Sequence, residues 1–406
     1  MKVLVILWHL TRERELTSGG LKRFVEVASR GKNYSIKFTL IENSPPLKLS
    51  VNKSYYETIH FRVPLEKFED SMLFRFFVWI FFMVQATIHG IKVTSREHFD
   101  IIMTPSAELL CNAFPAFFLH ILRGIPLVYV VQLTPSGFPY SGFLTEYRRY
   151  RKQGFNQVIS LALVFYIYIN FILLLKLYNK SNMIIVVSKY LKKQLKSYGV
   201  KQPIFVVKNG INVENVTYEG SKVYDAVFVG RHSPQKGIID ALEAWRLIVK
   251  KVPGATLVLI GYCTEDMKKL IEKRIKEYGL EKNILIKGVL PRRDLFLTMK
   301  KSRFLLFPSY EESFGLVVGE ALACGLPVIC YAIPAIQEIY RTDAVLSCPV
   351  GNVKCLAEKS LELLSNEKLL RELSARGQKY VRMFNWDDTA RQEFILYYRL
   401  LRTNIS

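Results

Sequence analysis

The sequence predicts an α/β protein with two doubly wound parallel sheets, one in each half of the chain. Short β-branched runs alternate with longer helical stretches, which is typical of parallel α/β folds. The chain has 406 residues, more than one ordinary domain needs. The alternation also restarts after an Asn-Gly turn at Asn209 and Gly210. We therefore expect one domain in residues 1–210, a second in residues 211–384, and a closing segment in residues 385–406.

Each expected strand is a short apolar run. In the first domain these runs lie at residues 3–7, 35–41, 101–103, 127–131, 184–187 and 204–207. The second domain continues with residues 226–229, 256–260, 284–286, 304–307 and 327–329, and with helices over residues 238–251 and 265–278. Residues 384–401 have the spacing of an amphipathic helix. The apolar N-terminus indicates a buried strand rather than a signal peptide, because no small-residue cleavage site precedes the charged residues 12–15.

The composition limits the partners and the compartment. An excess of 57 Lys+Arg over 35 Asp+Glu gives a net charge of +22, which suits nucleic acid, anionic lipid or a phosphorylated substrate. No nucleic-acid motif is recognisable, so nucleic acid is not an expected partner. The six cysteines form no Cys-x-x-Cys pair, which argues against zinc. We expect buried, reduced thiols and a cytoplasmic location.

Two loops that follow strands contain residues suited to anionic ligands, since open α/β sheets bind ligands at the carboxyl ends of their strands. The first is Ser18-Gly19-Gly20, where backbone can approach an anion near a helix N-terminus, although a tight turn explains it equally well. The second runs from Gly230 to Gly237 and contains Arg231 and Lys236, which can clamp a diphosphate from two directions. A solvated basic loop is the alternative for this second segment.

The densest signal lies in residues 307–328, where a strand ends, a carboxylate loop follows and a helix begins near Phe314. Glu312 lies just before this helix, and Glu320 lies about two turns into it. Carboxylates suit polyols because they accept hydrogen bonds from adjacent hydroxyls. The amides of Phe314 and Gly315 are free to bind phosphate or sugar oxygens. The alternative is that Glu312 only caps the helix and that Glu320 is a surface charge.

The Glu-x7-Glu segment and the residues that follow it resemble the signature of the retaining glycosyltransferase family 4, which has the GT-B fold. The resemblance covers nearly the whole chain and extends to Ser18-Gly19-Gly20 and to residues 187–191, 209–212, 230–237, 288–291 and 384–386. It implies two Rossmann-like domains facing across a cleft, with a C-terminal helix that crosses back to the first domain.

The resemblance also implies a role for each matching residue. Arg231 and Lys236 would bind the donor diphosphate in place of a metal ion, and no cofactor is expected. Glu320 would bind the ribose, and Glu312 would contact the transferred sugar. The base would face Val289 and Leu290, and Gly20 would approach the phosphates. Backbone contacts to the donor would come from Phe314, Gly315 and Leu316.

Two positions depart from the family pattern. Ser313 replaces a common glycine, which is a mild change. More seriously, Gln132 follows the strand at residues 127–131, where relatives often have a histidine on the acceptor side. Glutamine can orient a hydroxyl but cannot act as a base. His9 and His98 lie near other strand ends, but a lone histidine is more often structural.

An uncharged run over residues 153–175 is long enough to cross a membrane and follows a basic stretch at residues 146–152. A spanning helix would place the two halves of one active site on opposite sides of the membrane. A helix buried between domains is another alternative. We favour an interfacial helix that binds an anionic membrane surface, joined by the aromatic residues 74–83.

The resemblance and the apolar run together therefore imply a metal-independent retaining hexosyltransferase on the cytoplasmic face of a membrane. It would transfer a sugar from a UDP- or GDP-sugar to a lipid-linked or glycan acceptor. A GT-B epimerase or phosphorylase, and a non-catalytic sugar-nucleotide-binding partner subunit, remain alternatives.

Overall fold

The computed structural model divides the chain into two compact units. Unit 1 comprises Met1–Gly210 with Trp386–Ser406, and unit 2 comprises Ile211–Asn385. The structure describes residues 1–8, 19–43, 56–61, 72–107, 109–134, 143–144, 147–148, 151, 156–212, 218 and 220–403. Each unit contains one parallel sheet, which confirms the predicted α/β fold class.

Unit 1 contains a sheet of seven described strands in the order β3-β2-β1-β4-β5-β6-β7. The strands are β1 (Lys2–Leu7), β2 (Lys37–Asn43), β3 (Tyr56–Phe61), β4 (Ile101–Thr104), β5 (Leu127–Val131), β6 (Met183–Val186) and β7 (Ile204–Val206). The central strands are buried on both faces, as expected for their continuous runs of aliphatic residues. The strand order reverses between β1 and β4, which creates a topological switch point.

Helices cover both faces of this sheet. They are α1 (Gly19–Ala28), α2 (Met72–Arg96), α3 (Leu110–Arg123), α4 (Gln157–Tyr178) and α5 (Lys189–Ser197). Right-handed crossovers place α1 on one face and place α2, α3 and α4 together on the other. We call α2, α3 and α4 the outer helix layer. Within it α2 packs against α3 and α3 packs against α4, and the close approach of Gly90 to Leu119 joins the first pair.

The last helix, α13 (Trp386–Thr403), packs beside α1 in unit 1, and Phe394 and Tyr397 lie within the apolar core of that unit. A buried ion pair joins Arg23 to Glu393 at 2.5 Å, and both side chains are 2% exposed. Arg23 also donates to Asn209 Oδ1 at 3.0 Å. Charged groups this buried need partners on every side, so the pair fixes α13 on unit 1.

Unit 2 contains a sheet of six described strands in the order β10-β9-β8-β11-β12-β13. The strands are β8 (Tyr224–Val229), β9 (Leu257–Ile260), β10 (Ile284–Gly288), β11 (Ser302–Phe307), β12 (Val328–Tyr331) and β13 (Val345–Cys348). The helices are α6 (Ile238–Val249), α7 (Glu265–Tyr278), α8 (Arg292–Lys300), α9 (Leu316–Ala323), α10 (Pro334–Ile339), α11 (Val353–Ser365) and α12 (Glu367–Val381). The order reverses between β8 and β11, so unit 2 has its own switch point.

One cysteine expectation is wrong. Cys348 and Cys355 form a disulfide with Cα atoms 5.8 Å apart, because the chain turns at Gly351 between β13 and α11. Cys111, Cys324 and Cys330 are buried and form no disulfide, as expected, whereas Cys263 is only half-buried. The cysteines therefore no longer support a reducing compartment.

Candidate active site

Two loops meet at the switch point of unit 2. One follows β8 and includes Arg231 and Lys236, and the other follows β11 and includes Glu312. A Cβ on Gly237, at φ +70°, would overlap the carbonyl oxygen of Pro308, so only glycine permits this approach of the loops. The Tyr310 amide also donates to the Gln235 carbonyl at 2.9 Å. The sheet therefore presents both loops at the position where doubly wound folds bind ligands.

A lysine and a carboxylate face each other across these loops. Lys236 Nζ donates to Glu312 Oε1 at 2.5 Å, with the two side chains 21% and 13% exposed. The Ser309 hydroxyl lies 3.0 Å from the same oxygen. Because Glu312 bonds to Lys236 and Ser309, the alternative that it only caps the helix does not describe its environment.

Hydrogen bonds among an aspartate and two tyrosines hold the loop after β11 in place. Asp240 lies in the first turn of α6 and accepts hydrogen bonds from Tyr310 Oη and, at 2.5 Å, from Tyr331 Oη. Burial, with the neighbouring Asp240 carboxylate second, raises the pKa of Tyr331 well above its ordinary value, so this hydroxyl remains a donor. Sequence reasoning missed these hydrogen bonds, because the three residues belong to separate elements.

Helix α9 begins at the end of the same loop. Gly315 precedes it at φ +72°, and a Cβ there would overlap the Ile336 side chain. The buried Tyr340 hydroxyl donates to the Gly315 carbonyl at 2.9 Å, and burial raises the pKa of Tyr340. Phe314 packs edge-on against Tyr340 at 6.0 Å. These contacts fix the start of the helix, where first-turn amides, including that of Leu316, have no intrahelical acceptor.

Glu320 is 5% exposed, so the alternative of a surface charge is wrong. Because α9 begins at Leu316, two residues later than expected, Glu320 lies in the second turn of the helix. Val289 and Leu290 follow β10 at the same edge of the sheet, and Val289 is 47% exposed. Arg231 is exposed after β8.

His232 is a residue of this region that sequence reasoning did not identify. It follows Arg231, is 3% exposed, and neither ring nitrogen has a partner within the described part of the chain. Its ring lies 5.9 Å from that of Phe228. Burial lowers the pKa of His232 to about 4, so the ring is neutral at pH 7.

Gly20 lies at the switch point of unit 1. A Cβ on Gly20 would lie 2.7 Å from Ser106 Oγ and 3.2 Å from Gln132 Nε2. Because glycine has no Cβ, α1 can approach the ends of β4 and β5. Gln132 is 9% exposed and donates to the Pro105 carbonyl at 3.0 Å. The same switch point contains a 2.6 Å hydrogen bond from the Trp8 amide to Asn112 Oδ1.

The histidine candidates of unit 1 do not join this group. His98 precedes β4 at its amino end, is 87% exposed and lies 3.6 Å from Asp100. Ser18 and His9 lie outside the described residues. Among the residues that the structure describes, no cluster of three or more His, Cys, Asp or Glu side chains could hold a metal ion.

Comparison with known proteins assigns the chain and its fold to a family. The model for glycosyl transferases group 1 matches residues 212–380, and the model for glycosyltransferase family 4 matches residues 51–215. Together the matches run from residue 51 to residue 380, through both units. The chain belongs to this family of glycosyltransferases with the GT-B fold, as its motifs predicted.

Individual relatives agree with this assignment. The chain is 34% identical over 211 residues to an uncharacterized glycosyltransferase of Methanocaldococcus jannaschii, covering 51% of this chain and 56% of the relative. It is 29% identical over 176 residues to O-antigen chain mannosyltransferase B of Escherichia coli, covering 42% and 45%. The matches therefore span about half the length of these relatives. The fold is similar to that of Anabaena HepE in complex with UDP and glucose, with a TM-score of 0.71, 16% identity and coverage of 98% and 100%.

Proposed function

We propose that this protein transfers a hexose, with retention of anomeric configuration and without a metal ion, from a nucleotide diphosphate sugar to a lipid-linked or glycan acceptor at a membrane surface. The observation that carries the donor half of the proposal is the meeting of Lys236 with Glu312 at the switch point of unit 2. This pair provides a cation for a diphosphate beside a carboxylate for a sugar hydroxyl.

Arg231 and Lys236 bind the donor diphosphate in this proposal. The exposed Arg231 offers a planar pair of donors, and Lys236 offers a point charge that Glu312 already holds in place. As the bond between the sugar and the diphosphate breaks, negative charge grows on the leaving phosphate. Fixed cations stabilise that charge most strongly in the transition state.

The remaining donor contacts come from α9 and from the end of β10. Glu320 accepts hydrogen bonds from the ribose hydroxyls, while Glu312 orients the transferred sugar together with the amides of Phe314, Gly315 and Leu316. Val289 and Leu290 provide an apolar surface for the base. HepE binds UDP, which makes a UDP-sugar the first donor to test.

Retention requires the acceptor oxygen to bond to the anomeric carbon on the face that the phosphate leaves. A phosphate oxygen of the leaving group then takes the proton from the acceptor hydroxyl, so no side-chain base is needed. Gln132, near Gly20, is suited to orient that hydroxyl, because an amide both donates and accepts.

The membrane half of the proposal rests on the outer helix layer. Helices α2 and α4 are long and apolar enough to cross a bilayer. Only 22% of the most apolar stretch of α2, and 29% of that of α4, is buried within the protein. One side of each helix nevertheless packs into unit 1, through Phe82 in α2 and Val164 in α4. A helix that packs against a sheet on one side can lie in the interfacial region of the cytoplasmic leaflet, but it cannot also cross the bilayer without leaving that sheet.

Two measurements test the two halves separately. For the donor, UDP, GDP and their sugars are screened for thermal stabilisation, and the stabilising sugar is incubated with lipid extract in the presence of a chelator. We expect a glycosylated lipid by mass spectrometry and retained configuration by NMR. Release of an epimerised free nucleotide sugar, or a strict need for a divalent metal, would contradict the proposal.

For the membrane, flotation with anionic and neutral vesicles is compared between wild type and a variant with four Gln substitutions, at Arg148, Arg149, Arg151 and Lys152. Of these four positions, Arg149 and Lys152 lie outside the described residues, as do residues 153–155 of the apolar run. We expect weaker flotation of the variant on anionic vesicles, since each exposed cation near an anionic surface contributes roughly 1 kcal/mol. Equal flotation on both lipids by both proteins would exclude the electrostatic contribution.

A further inference from the structure

A cavity of about 190 Å³ lies in unit 1 between the three helices of the outer helix layer. Five of its lining residues come from α4, which include the buried Phe171 and Leu174. Trp79 of α2 and Cys111 of α3 form two other parts of the wall. Asn170 and Tyr166 contribute the few polar groups of the lining, and they bond to each other, with Asn170 Nδ2 donating to Tyr166 Oη at 3.1 Å. The cavity is therefore apolar except for one satisfied pair and the indole of Trp79.

The surface end of the cavity lies beside the acceptor side of unit 1. Leu133 lines the cavity, is 39% exposed and directly follows Gln132. Leu109 and Leu110 also line it and lie a few residues after Ser106, which is beside Gly20. The lining of the cavity thus extends from Leu133, the neighbour of Gln132, to the buried Phe171 and Leu174 of α4.

The surroundings of the cavity are apolar as well. Each helix of the outer helix layer has a row of exposed, large apolar side chains on one face. These are Phe77, Ile80, Val84 and Ile88 in α2, Phe114, Phe118, Ile121 and Leu122 in α3, and Val158, Leu161, Phe165, Ile169, Ile172 and Leu173 in α4. Exposed apolar area of this extent marks an interaction surface.

Size and chemistry select the occupant. A cavity of about 150 Å³ lined by aliphatic and aromatic side chains holds one benzene molecule, so 190 Å³ is too small for a peptide helix and suits a few methylene groups. The net charge of +22 favours an anionic head group.

We propose that this cavity binds a few methylene groups of a hydrocarbon chain of the lipid acceptor, at the end of the chain that carries the head group. The head group of the lipid then lies at the carboxyl ends of β4 and β5. The inference rests on the proposed function for the identity of that lipid, but binding of a hydrocarbon chain is measurable on its own. It assigns the acceptor's anchor to unit 1, separately from the donor site of unit 2.

The test uses equilibrium binding of radiolabelled octanoate, decanoate and dodecanoate to the purified full chain, each below its aggregation concentration. We expect one saturable site per chain, with affinity that rises by roughly fourfold for each methylene that the cavity buries. Ile167→Trp should weaken dodecanoate binding at least tenfold, because Ile167 lines the cavity. Ile169→Trp is the matched control, since Ile169 is 56% exposed two residues along the same helix and should leave binding within twofold.

A second variant covers the case in which Ile167→Trp does not fold. Asn170→Asp changes almost no volume but adds a charge to the lining, and should also weaken dodecanoate binding at least tenfold. Absence of saturable binding by wild type, or equal binding by all folded variants, would overturn the cavity proposal. Wild type that binds dodecanoate but neither floats with vesicles nor glycosylates lipid would instead overturn the proposed function.

Discussion

Helix α4 of unit 1 and helix α7 of unit 2 both cover a parallel sheet, but the exposed side of α4 is apolar and that of α7 is charged. Helix α7 buries Met267, Ile271 and Ile275 and exposes charged residues such as Lys268 and Glu272 on its other side. Helix α4 buries one apolar face and exposes a second one, which includes Phe165 at 53% and Ile169 at 56%.

The difference shows that the exposed apolar face of α4 is not needed for the fold. One apolar face is enough to cover a sheet, as α7 demonstrates, and a helix that is apolar all round is typical of complete burial or of a membrane. Unit 2 instead concentrates its unusual features, such as a buried carboxylate and a lysine–glutamate pair, at one edge of its sheet. We infer that unit 2 binds the donor and that the outer helix layer of unit 1 faces lipid.

The largest effect should come from the strand-end cations of unit 2. We expect Arg231→Ala and Lys236→Ala each to reduce transfer by roughly 10²–10³-fold, because fixed charges act most strongly on the transition state. Lys268→Ala on α7 is the control and should be neutral, since Lys268 is exposed on the water-facing side of that helix. Initial rates with saturating acceptor measure the effect. A fully active Lys236→Ala enzyme would remove the donor role from the loop after β8.

The two glutamates should separate nucleotide binding from sugar transfer. Glu320→Ala should weaken binding of free nucleoside diphosphate by about tenfold, because it loses charged hydrogen bonds to the ribose. Glu312→Ala should leave that affinity nearly unchanged while it abolishes transfer. Calorimetric titration with the diphosphate distinguishes the two variants, and equal weakening in both would show that the division of roles is wrong.

The sequence predicted most strands and the family motifs well, including the edge strands β7 and β10, but it did not reveal the edge strands β3 and β13 or the long-range contacts. Strands β3 and β13 lie at sheet edges, where residues such as Glu57 and His60 interrupt the apolar pattern. The Lys236–Glu312 pair joins residues 76 positions apart and depends on the close approach at Gly237. Local periodicity contains no information on such contacts, nor on the pairing of Cys348 with Cys355.

A smaller effect should distinguish the buried His232 of unit 2 from the exposed His98 of unit 1. Since the folded-state pKa of His232 is about 4, the unfolded chain binds more protons between its ordinary value of 6.5 and 4. Stability from the neutral ring is therefore complete above pH 6.5 and decreases as the pH falls toward 4. We expect His232→Leu to resist this loss, with an advantage that grows to roughly 3 kcal/mol near pH 4.

Urea unfolding at pH 7, 6, 5 and 4 measures this advantage. His98→Leu is the control for the replacement of a histidine by leucine, because the His98 side chain is 87% exposed. Parallel pH profiles for wild type and His232→Leu would mean that the ring is protonated or solvated in the folded protein.

The most direct test of the central claim compares apolar surface in the two units by vesicle flotation. One variant replaces three exposed residues of α4 with Gln, namely Leu161, Phe165 and Ile169, which are 41%, 53% and 56% exposed. The matched control replaces three exposed valines of unit 2 with Gln, namely Val223, Val252 and Val350, which are 53%, 37% and 52% exposed. We predict that wild type and the unit 2 control float with anionic vesicles and that the α4 variant remains in solution while keeping its affinity for the nucleotide. Flotation of the folded α4 variant equal to that of wild type would contradict a membrane role for this face.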